Sequence, residues 1–292
     1  RFAPSPTGPL HFGSLVAALG SFLEARTQGG QWLVRIEDVD APRTAPGATD
    51  AILRTLESCG LFWDGAVWFQ RQRTERYQAA LEELSRAGQV YPCTCTRREL
   101  AGCPRGRDGS PLYPGHCRQG ARRPGRPHAF RLRVNDIRLT FHDVVQGEYH
   151  QWLQSEAGDF VIRRADGLFT YQLAVVVDDA DQGVTEVIRG SDLLDSTPRQ
   201  LYLQGLLGLS TPRYGHLPVA VDERGDKLSK QTHAPPLDER NPGPALWGAL
   251  RFLGQQPPAD LLHAPPAEIL HWALAHWRLK RVSVARTQPW AR

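Results

Sequence analysis

Two of the three lysines in this 292-residue chain, Lys227 and Lys230, belong to one short segment. The rest of the chain takes its positive charge almost entirely from arginine. A guanidinium is a rigid planar fork, whereas a lysine ammonium is a compact charge on a flexible stem that can follow a phosphate during a reaction. The segment Lys227-Leu228-Ser229-Lys230-Gln231 therefore predicts a phosphate-binding loop. Taken alone, the same spacing is also typical of a solvated turn.

A second motif lies near the start of the chain. His11-Phe12-Gly13-Ser14 leads into residues 15–26, an apolar run with helical spacing that ends before two glycines. Free backbone N–H groups and the positive end of a helix dipole bind anions. The motif therefore predicts a triphosphate site on Gly13 and Ser14, with His11 as an additional donor to developing charge. A single histidine beside a turn is more often structural than catalytic.

Together the two motifs resemble the HIGH and KMSKS signatures of the class I aminoacyl-tRNA synthetases. Phe12 and Ser14 depart from the first signature, and Leu228 and Gln231 depart from the second. Four further stretches resemble the glutamyl branch of this family: residues 4–11, 35–40, 177–179 and 187–192. The resemblance covers about residues 1–235. It implies an ATP-dependent ligase that forms a glutamyl adenylate.

The resemblance also implies roles for these residues. The catalytic residues would be His11, Lys227 and Lys230. The ATP-binding residues would be His11, Gly13, Ser14, Lys227 and Lys230, with Mg²⁺ accompanying the nucleotide.

The composition of a glutamate pocket follows from charge. L-Glutamate carries two carboxylates and one ammonium, so its site needs cations and one acid. By resemblance, Arg1 and Arg189 contact carboxylate oxygens and Glu37 binds the α-ammonium. Ser5 and Tyr171 complete the hydrogen bonding. Glutamine would leave an arginine unpaired, which gives a physical source of discrimination. The alternative is that Glu37 and Arg189 are surface charges near strand ends.

Three of the five cysteines are candidates for a closed structural zinc site, and their odd total argues against a disulfide framework. The thiolates would come from Cys93, Cys95 and Cys117, while Tyr113, His116 and Cys103 compete for the fourth position. Generic zinc chemistry favours cysteine or histidine. The short glutamyl-type synthetases that modify queuosine have an insertion resembling Cys-x-Cys…Tyr-x-x-x-Cys, which implies Tyr113. A metal-free cysteine set is the alternative, and Cys59 is expected in the core.

The net charge of +4 is unevenly distributed. Residues 97–133 carry +8 and residues 278–292 carry +5, so the remainder carries −9. An acidic body with two basic segments is typical of an enzyme that binds a polyanion. A solvated arginine-rich face is the alternative for residues 97–133. No apolar run reaches about 18 residues, so no membrane span is expected. A cytoplasmic location is the default expectation, and a monomer is also expected.

The expected fold is α/β, a Rossmann-like class I synthetase core with a zinc-containing insertion and a short helical C-terminal region. Helices are predicted at residues 15–26, 49–59, 77–87, 198–207, 242–252 and 267–277. Strands are predicted at residues 32–36, 128–132, 138–143, 160–164, 170–177 and 184–189, the last a central strand. The predicted domains are residues 1–91, the first catalytic half; 92–170, the insertion; 171–232, the second half; and 233–292, the helical region.

Roughly sixty residues follow Gln231, whereas a full glutamyl-tRNA synthetase continues into helical domains that bind the anticodon. The chain thus resembles the short synthetases that activate L-glutamate with ATP and transfer it to the queuosine base in the anticodon stem-loop of tRNA(Asp). Three alternatives are a truncated synthetase charging tRNA(Glu), a non-catalytic tRNA-binding paralogue and a nucleotidyl transferase. The glutamate-type pocket disfavours the last of these.

Overall fold

Helices and strands alternate along most of the chain in the computed structural model, which describes residues 1–228 and 235–290. The α-helices of this part are α1 (Phe12–Thr27), α2 (Ala48–Ser58), α3 (Thr74–Arg86), α4 (Leu153–Glu156), α5 (Tyr171–Asp181), α6 (Thr197–Leu206), α7 (Gly243–Phe252) and α8 (Pro266–His276). The strands are β1 (Arg35–Ile36), β2 (Trp68–Phe69), β3 (Val90–Cys93), β4 (Ala129–Leu132), β5 (Arg138–Asp143), β6 (Gly147–Trp152), β7 (Val161–Arg163), β8 (Glu186–Gly190), β9 (Arg213–Leu217), β10 (Val219–Val221) and β11 (Thr287–Pro289).

The helices predicted from apolar spacing are all present, and their ends lie within three residues of the predicted ends. The strands predicted at residues 128–132, 138–143 and 160–164 correspond to β4, β5 and β7. The strand predicted at residues 32–36 is shorter than expected, because regular pairing is confined to β1. The expected mixed α/β architecture is confirmed.

The strand predicted for residues 170–177 is wrong, because this segment begins helix α5. Residues 173–179 are all buried, and a helix buried on every side has no amphipathic period to reveal it. Its three consecutive valines also favour a strand by local propensity. Packing against α3, α6 and β7 decides the outcome. Helical rise brings Tyr171 and Asp179 to within about 12 Å along the axis, less than half the span of a strand.

The largest sheet has four strands in the order β6-β5-β9-β8. Strands β8 and β9 run parallel, with Ile188 opposite Gly215, and α1 packs against β8. Strand β8 is therefore the last strand of this sheet among the described residues, not a central one as predicted. Its residues Val187, Ile188 and Arg189 are nevertheless buried. Parallel pairing places the carboxyl ends of β8 and β9 at one edge, where α/β folds bind ligands.

Helix α1 is the structural centre of the first core cluster. Nine of its sixteen residues are buried, and it packs against β8, α7 and α8. A Cβ atom on Gly20 would lie 2.6 Å from the Cδ1 atom of Leu217, so glycine allows the helix to approach β9 closely. Close packing of this kind fixes the direction of α1 and, with it, the position of His11 at its N-terminus.

The segment around the cysteines forms its own small layer. Strands β3, β4 and β7 make an antiparallel sheet, and residues 104–112 form a tight knuckle in which Gly106 donates to the carbonyl of Ser110 at 2.9 Å. A Cβ on Gly106 would lie 2.5 Å from the carbonyl oxygen of Glu156, so the knuckle lies directly on the end of α4. The two β-strands that follow, β5 and β6, belong to the four-stranded sheet.

The C-terminal region contributes α7, α8 and β11. Strand β11 pairs in parallel with β10, and the Trp290 ring stacks on Phe12 with 4.2 Å between the ring centroids. The first turn of α1 is therefore held by residues almost 280 positions further along the chain. None of the helices within residues 1–228 and 235–290 is long and apolar enough to span a membrane.

Candidate active site and cysteine cluster

A cavity of about 410 Å³ opens at the carboxyl edge of β8 and β9. Its wall includes five residues predicted to act on substrates: Ser5, His11, Gly13, Ser14 and Lys227. Two separate parts of the sequence, the HIGH-like motif and the first lysine of the KMSKS-like segment, thus meet in one space. The arrangement provides several donors and a cation for an anionic ligand.

The N-terminus of α1 lines this cavity. His11 is the N-cap residue, and its Nδ1 atom accepts a hydrogen bond from the backbone N–H of Ser14 at 3.4 Å. With Nδ1 accepting, the neutral ring carries its proton on Nε2, which is then a donor. A Cβ on Gly13 would lie 3.2 Å from both the His11 ring and the carbonyl oxygen of Leu228. Glycine therefore lets the two motifs come into close contact.

The flanks of the lysine segment are anchored beside His11. Leu228 donates its backbone N–H to Ala220 at 2.9 Å, and Leu237 donates to the carbonyl of Leu10 at 3.1 Å. Lys227 forms an ion pair with Asp192, with 2.5 Å between Nζ and Oδ2. Lys230 lies outside the described residues.

Arg189, at the end of β8, is a buried cation whose partners are neutral. Its Nε donates to His216 at 3.0 Å, and Nη1 donates to the Tyr171 hydroxyl at 3.1 Å. Nη2 donates to Thr197 at 2.8 Å and to Gln200 at 2.9 Å. Only 4% of the residue is exposed, and no carboxylate of residues 1–228 or 235–290 lies within ion-pair distance. A buried charge without a counter-ion is costly, so this position is suited to an anionic ligand.

His216 connects Arg189 to Asp143. The Nδ1 atom of His216 lies 2.5 Å from an Asp143 carboxylate oxygen, and both side chains are fully buried. Because Nε2 receives the Arg189 hydrogen bond, the proton on the ring belongs on Nδ1. Burial, with the neighbouring Arg189 charge, lowers the pKa of His216 to about 4, although Asp143 acts in the opposite direction. The ring is therefore neutral near pH 7, and Arg189 has no carboxylate in direct contact, since Asp143 reaches it only through His216.

Arg1 and Glu37 meet through a buried ionic network. Arg1 binds Asp179 through Nε at 3.0 Å and through Nη2 at 3.1 Å. Arg35 links this carboxylate, at 2.7 Å, to Glu37, at 3.4 Å. The Glu37 side chain is 7% exposed, and burial raises its pKa against the opposing effects of Arg35 and Arg1. The network therefore brings Arg1 and Glu37 into one buried ionic group.

Tyr171 connects this network to Arg189. Burial raises the pKa of its phenol, Arg189 and Arg1 lower it, and Glu37 raises it further, so all four groups are close enough to interact electrostatically. The cluster adjoins the cavity, because Glu37 donates its backbone N–H to the carbonyl of Pro4, a cavity-lining residue, at 3.0 Å. Arg1, Glu37, Tyr171 and Arg189 are thus brought together. Ser5 lies with the cavity residues.

Cys93, Cys95 and Cys117 form a second cluster, with their sulfur atoms within 4.8 Å of one another. The Tyr113 hydroxyl lies 3.3 Å from the sulfur of Cys93 and 3.4 Å from that of Cys95. It also accepts the backbone N–H of Cys117 at 2.8 Å. Tyr113 therefore occupies the fourth position around the three thiols.

The other two candidates for the fourth position are placed differently. His116 is exposed, with its ring centroid 6.3 Å from that of Tyr113. Cys103 packs against the cluster but is not among the three grouped thiols. Burial raises the pKa of Cys117, but backbone hydrogen bonds from Arg122 and Thr94 and one from Tyr113 outweigh it, giving about 6. A thiolate is therefore favoured at Cys117 near neutral pH. Cys59 is buried in the main core, as expected.

Several residues of the site were missed from the sequence. Asp179, Arg35, Asp143 and His216 all contact residues predicted to bind substrates or position those that contact them, and Asp192 pairs with Lys227. Asp179 and Arg35 stand within stretches that resemble the glutamyl branch, so that resemblance offered a signal. Asp143 and His216 occur in ordinary strand sequences, and no local pattern indicates that they pair.

Residues 1–241 match the family described as tRNA synthetases class I (E and Q), catalytic domain. The chain belongs to this family of class I aminoacyl-tRNA synthetases. The match includes the cavity, the Arg189 cluster and the cysteine cluster described above.

Relatives named glutamyl-Q tRNA(Asp) synthetase match nearly the whole chain. The one from Thiobacillus denitrificans is 56% identical over 97% of this chain and 94% of its own length. Those from Aromatoleum aromaticum and Pseudomonas aeruginosa PAO1 are 57% and 54% identical, over 96% and 99% of this chain and 88% and 96% of their own lengths. The resemblance to short glutamyl-type synthetases is confirmed by these relatives.

Solved structures confirm the fold. A glutamate-tRNA synthetase from Elizabethkingia anophelis superposes with a TM-score of 0.79 at 24% identity, covering 100% of this chain and 67% of that chain. A glutamate tRNA ligase from Elizabethkingia meningosepticum, solved with its amino acid, gives 0.78 at 24% identity, covering 100% and 66%. At this level of identity the likeness shows the fold alone.

The His216 environment predicts a specific pH dependence. The unfolded chain binds a proton near pH 6.5, whereas the folded state excludes it until about pH 4, so stability falls as pH is lowered through this window. We expect the wild type to lose about 2 kcal/mol more than His216→Gln between pH 7 and pH 5. Urea unfolding at the two pH values measures this difference. The control, His271→Gln, alters an exposed histidine, and a His216→Gln variant with wild-type pH dependence would contradict the prediction.

Proposed function

We propose that this protein activates L-glutamate with ATP and transfers the glutamyl group to the queuosine base in the anticodon of tRNA(Asp). The observation that carries the proposal is the buried Arg189, whose partners are all neutral. A side-chain carboxylate is the ligand that such a cation needs, and it would bind there in a water-poor environment. The relatives that match nearly the whole chain carry the corresponding name.

In this proposal the buried cluster recognises every charged group of glutamate. Arg189 and Tyr171 take one carboxylate, Arg1 contributes to carboxylate binding and Glu37 accepts the α-ammonium. Among the described residues, no partner is bonded to Nη1 of Arg1 or to Oε2 of Glu37, so both atoms remain to serve a ligand. Glutamine would leave Arg189 unpaired, which excludes it by the cost of an uncompensated buried charge.

The adjoining cavity would bind ATP together with Mg²⁺, which neutralises phosphate charge. The α-carboxylate of glutamate attacks the α-phosphorus in line, pyrophosphate leaves and glutamyl adenylate forms. Gly13, the side chain of Ser14, the Nε2–H of His11, Ser5 and the ammonium groups of Lys227 and Lys230 stabilise the developing charge. In the second step a hydroxyl of queuosine attacks the anhydride carbonyl and AMP leaves. No side chain has to act as a nucleophile.

The cysteine cluster would hold a structural zinc ion. A tetrahedral ion with Zn–S bonds of about 2.3 Å places its sulfurs about 3.8 Å apart. The sulfur atoms of Cys95 and Cys117 are 3.7 Å apart, so the residues fit such an ion. Cys93 and the hydroxyl of Tyr113 complete the set of four. The ion would supply folding energy to a segment rich in proline and glycine.

Removal of the zinc is expected to loosen the insertion alone. We expect Cys93→Ser to lower the metal content from about one ion per chain to a small fraction, because a structural site needs all its ligands. Residues 93–126 should then become sensitive to protease, while glutamate-dependent exchange continues. The matched control is Cys103→Ser, which should keep its zinc. Freshly purified, unchelated wild-type protein without zinc would contradict the assignment.

The remaining assignments follow from this function. We propose that the segments 1–91, 92–170, 171–232 and 233–292 act as first catalytic half, insertion, second half and helical region, and that the enzyme is a cytoplasmic monomer.

The function is tested in two stages with labelled glutamate. The first stage measures glutamate-dependent ATP–pyrophosphate exchange without tRNA, and we expect activity because the buried cluster and the cavity are built by this chain alone. The second stage offers tRNA(Asp) whose terminal CCA has been trimmed with a nuclease. Label should still be incorporated, and tRNA from cells unable to make queuosine should stay unlabelled. Trimming is preferable to periodate oxidation of the tRNA 3′ end, because periodate also attacks the diol of the modified base.

The opposite pattern identifies a different enzyme. If trimmed tRNA is not labelled and unmodified tRNA is, the protein charges a 3′ end and the proposed acceptor is wrong. If no exchange occurs with glutamate under any condition, while stem-loop RNA still binds, the protein is a non-catalytic tRNA-binding paralogue.

A further inference from the structure

A second cavity, of about 540 Å³, lies between the insertion and α6. It is separate from the nucleotide cavity, the 410 Å³ cavity proposed to bind ATP. Its apolar side is formed by Leu100, Pro111 and Phe160. The knuckle at residues 104–112 closes it from above and is fastened to α6, because Arg199 binds both carboxylate oxygens of Asp108. The cavity therefore exists only because the insertion docks on the catalytic core.

Four arginines line this space, two at its mouth and two within. Arg97 and Arg105 are exposed, and among the described residues the guanidinium of Arg97 has neither a hydrogen-bond nor an ion-pair partner. Arg131 is buried, donating to the sulfur of Cys93 at 3.3 Å and to the carbonyl of Asp159 at 3.0 Å. Arg199 is the fourth. An apolar floor with guanidinium groups around it suits a nucleobase with its phosphate.

The cavity also adjoins the glutamate cluster, the buried group formed by Arg1, Glu37, Tyr171 and Arg189. Gln172 lines it, and the Oε1 atom of Gln172 accepts a hydrogen bond from Gln200 at 3.2 Å. Gln200 in turn accepts from Arg189 at 2.9 Å. Two hydrogen-bonded side chains, Gln172 and Gln200, therefore connect a ligand in this cavity to Arg189, the residue assigned to glutamate.

We propose that this cavity binds one nucleotide of the single-stranded anticodon loop that carries the glutamyl acceptor. Its base packs on Leu100, Pro111 and Phe160, and its phosphate lies against Arg97 and Arg105. Unstacked loop bases are the part of an RNA that proteins hold in such pockets, and arginine neutralises the adjacent phosphates. The assignment rests on the proposed function, and it gives the +8 charge of residues 97–133 a defined place to act.

The test compares adjacent residues that differ in their position relative to the cavity. Ala101 lines the cavity and is exposed, whereas its exposed neighbour Gly102 does not line it. We expect Ala101→Trp to fill the space and weaken binding of a queuosine-containing tRNA(Asp) anticodon stem-loop by about tenfold or more. Gly102→Trp should bind like the wild type. Fluorescence polarisation with the labelled stem-loop measures both.

Two adjacent arginines provide a second, independent measurement. Arg97 lines the cavity and Arg98 does not, although both are exposed. Arg97→Ala should weaken stem-loop binding several-fold and reduce the slope of log affinity against log salt by about one, as loss of one phosphate contact requires. Arg98→Ala should leave the slope unchanged. Unaltered zinc content and thermal unfolding establish that each variant is folded.

The outcomes separate this inference from the proposed function. All four variants should retain glutamate-dependent exchange, because none of the substituted residues contacts the glutamate cluster or lines the nucleotide cavity. Equal effects within both pairs overturn the nucleotide assignment even if exchange and transfer to queuosine are intact. Wild-type protein that lacks exchange overturns the proposed function, and a selective effect of Ala101→Trp on stem-loop binding would then still support the cavity as an RNA site.

Discussion

Arg189→Gln is expected to reduce glutamate-dependent ATP–pyrophosphate exchange by roughly a hundredfold or more. Its thermal unfolding temperature should be unchanged or higher. The reason lies in its partners: His216, Tyr171, Thr197 and Gln200 are neutral, so the folded protein keeps a buried cation with no carboxylate in direct contact. A neutral replacement removes the ligand-binding charge and also its desolvation penalty. Exchange kinetics and calorimetry on the same preparation measure the two effects.

The control is Arg213→Gln, which removes an arginine with a 62% exposed side chain from the neighbouring strand β9. It should change neither activity nor stability appreciably, because exposed ion pairs contribute little. If Arg189→Gln instead lowers the melting temperature in parallel with activity, Arg189 is a structural residue and the glutamate site lies elsewhere.

Arg35→Gln is expected to have the largest effect on stability, a loss of about 3–5 kcal/mol. Arg35 is fully buried and lies 2.7 Å from Asp179, 3.4 Å from Glu37 and 3.8 Å from Asp178. Its removal leaves buried carboxylates facing one another with less compensation. Arg1 would still neutralise part of this charge through Asp179. The free energy of unfolding in urea measures the loss.

The matched comparison is Arg76→Gln. The partner of Arg76 is Asp181, which lies on helix α5 together with Asp178 and Asp179. The Arg76 side chain is 41% exposed, so we expect a loss below about 1 kcal/mol. Equal losses in the two variants would mean that the Arg35 network contributes no more than a surface ion pair. Arg189→Gln and Arg35→Gln together distinguish a charge held for the ligand from a charge held for the fold.

Spacing in the sequence was sufficient to predict most of the helices. Amphipathic helices such as α2 and α3 were predicted because one face contacts the core and the other contacts water, which leaves a period of 3.6 residues. The residue types of the two motifs indicated phosphate binding, and the resemblance to the glutamyl branch implied ATP chemistry and a glutamate pocket that includes Arg1, Glu37 and Arg189. These inferences depend on local pattern and on side-chain chemistry, both of which are written in the chain.

Tertiary structure decided what local pattern does not contain. Helix α5 is buried on all sides, so packing and not periodicity determined its conformation. Arg1 binds Asp179 across 178 positions of sequence, and His216 binds Asp143 across 73, so neither pairing leaves a spacing to read. The hydroxyl of Tyr113 lies among the thiols while His116 is exposed to solvent. The conformation of the chain between β3 and β4 decides this difference. The sequence by itself determined which groups are predicted to take part in the chemistry. Only the folded chain, by burying these groups together, determined which residues hold them in place.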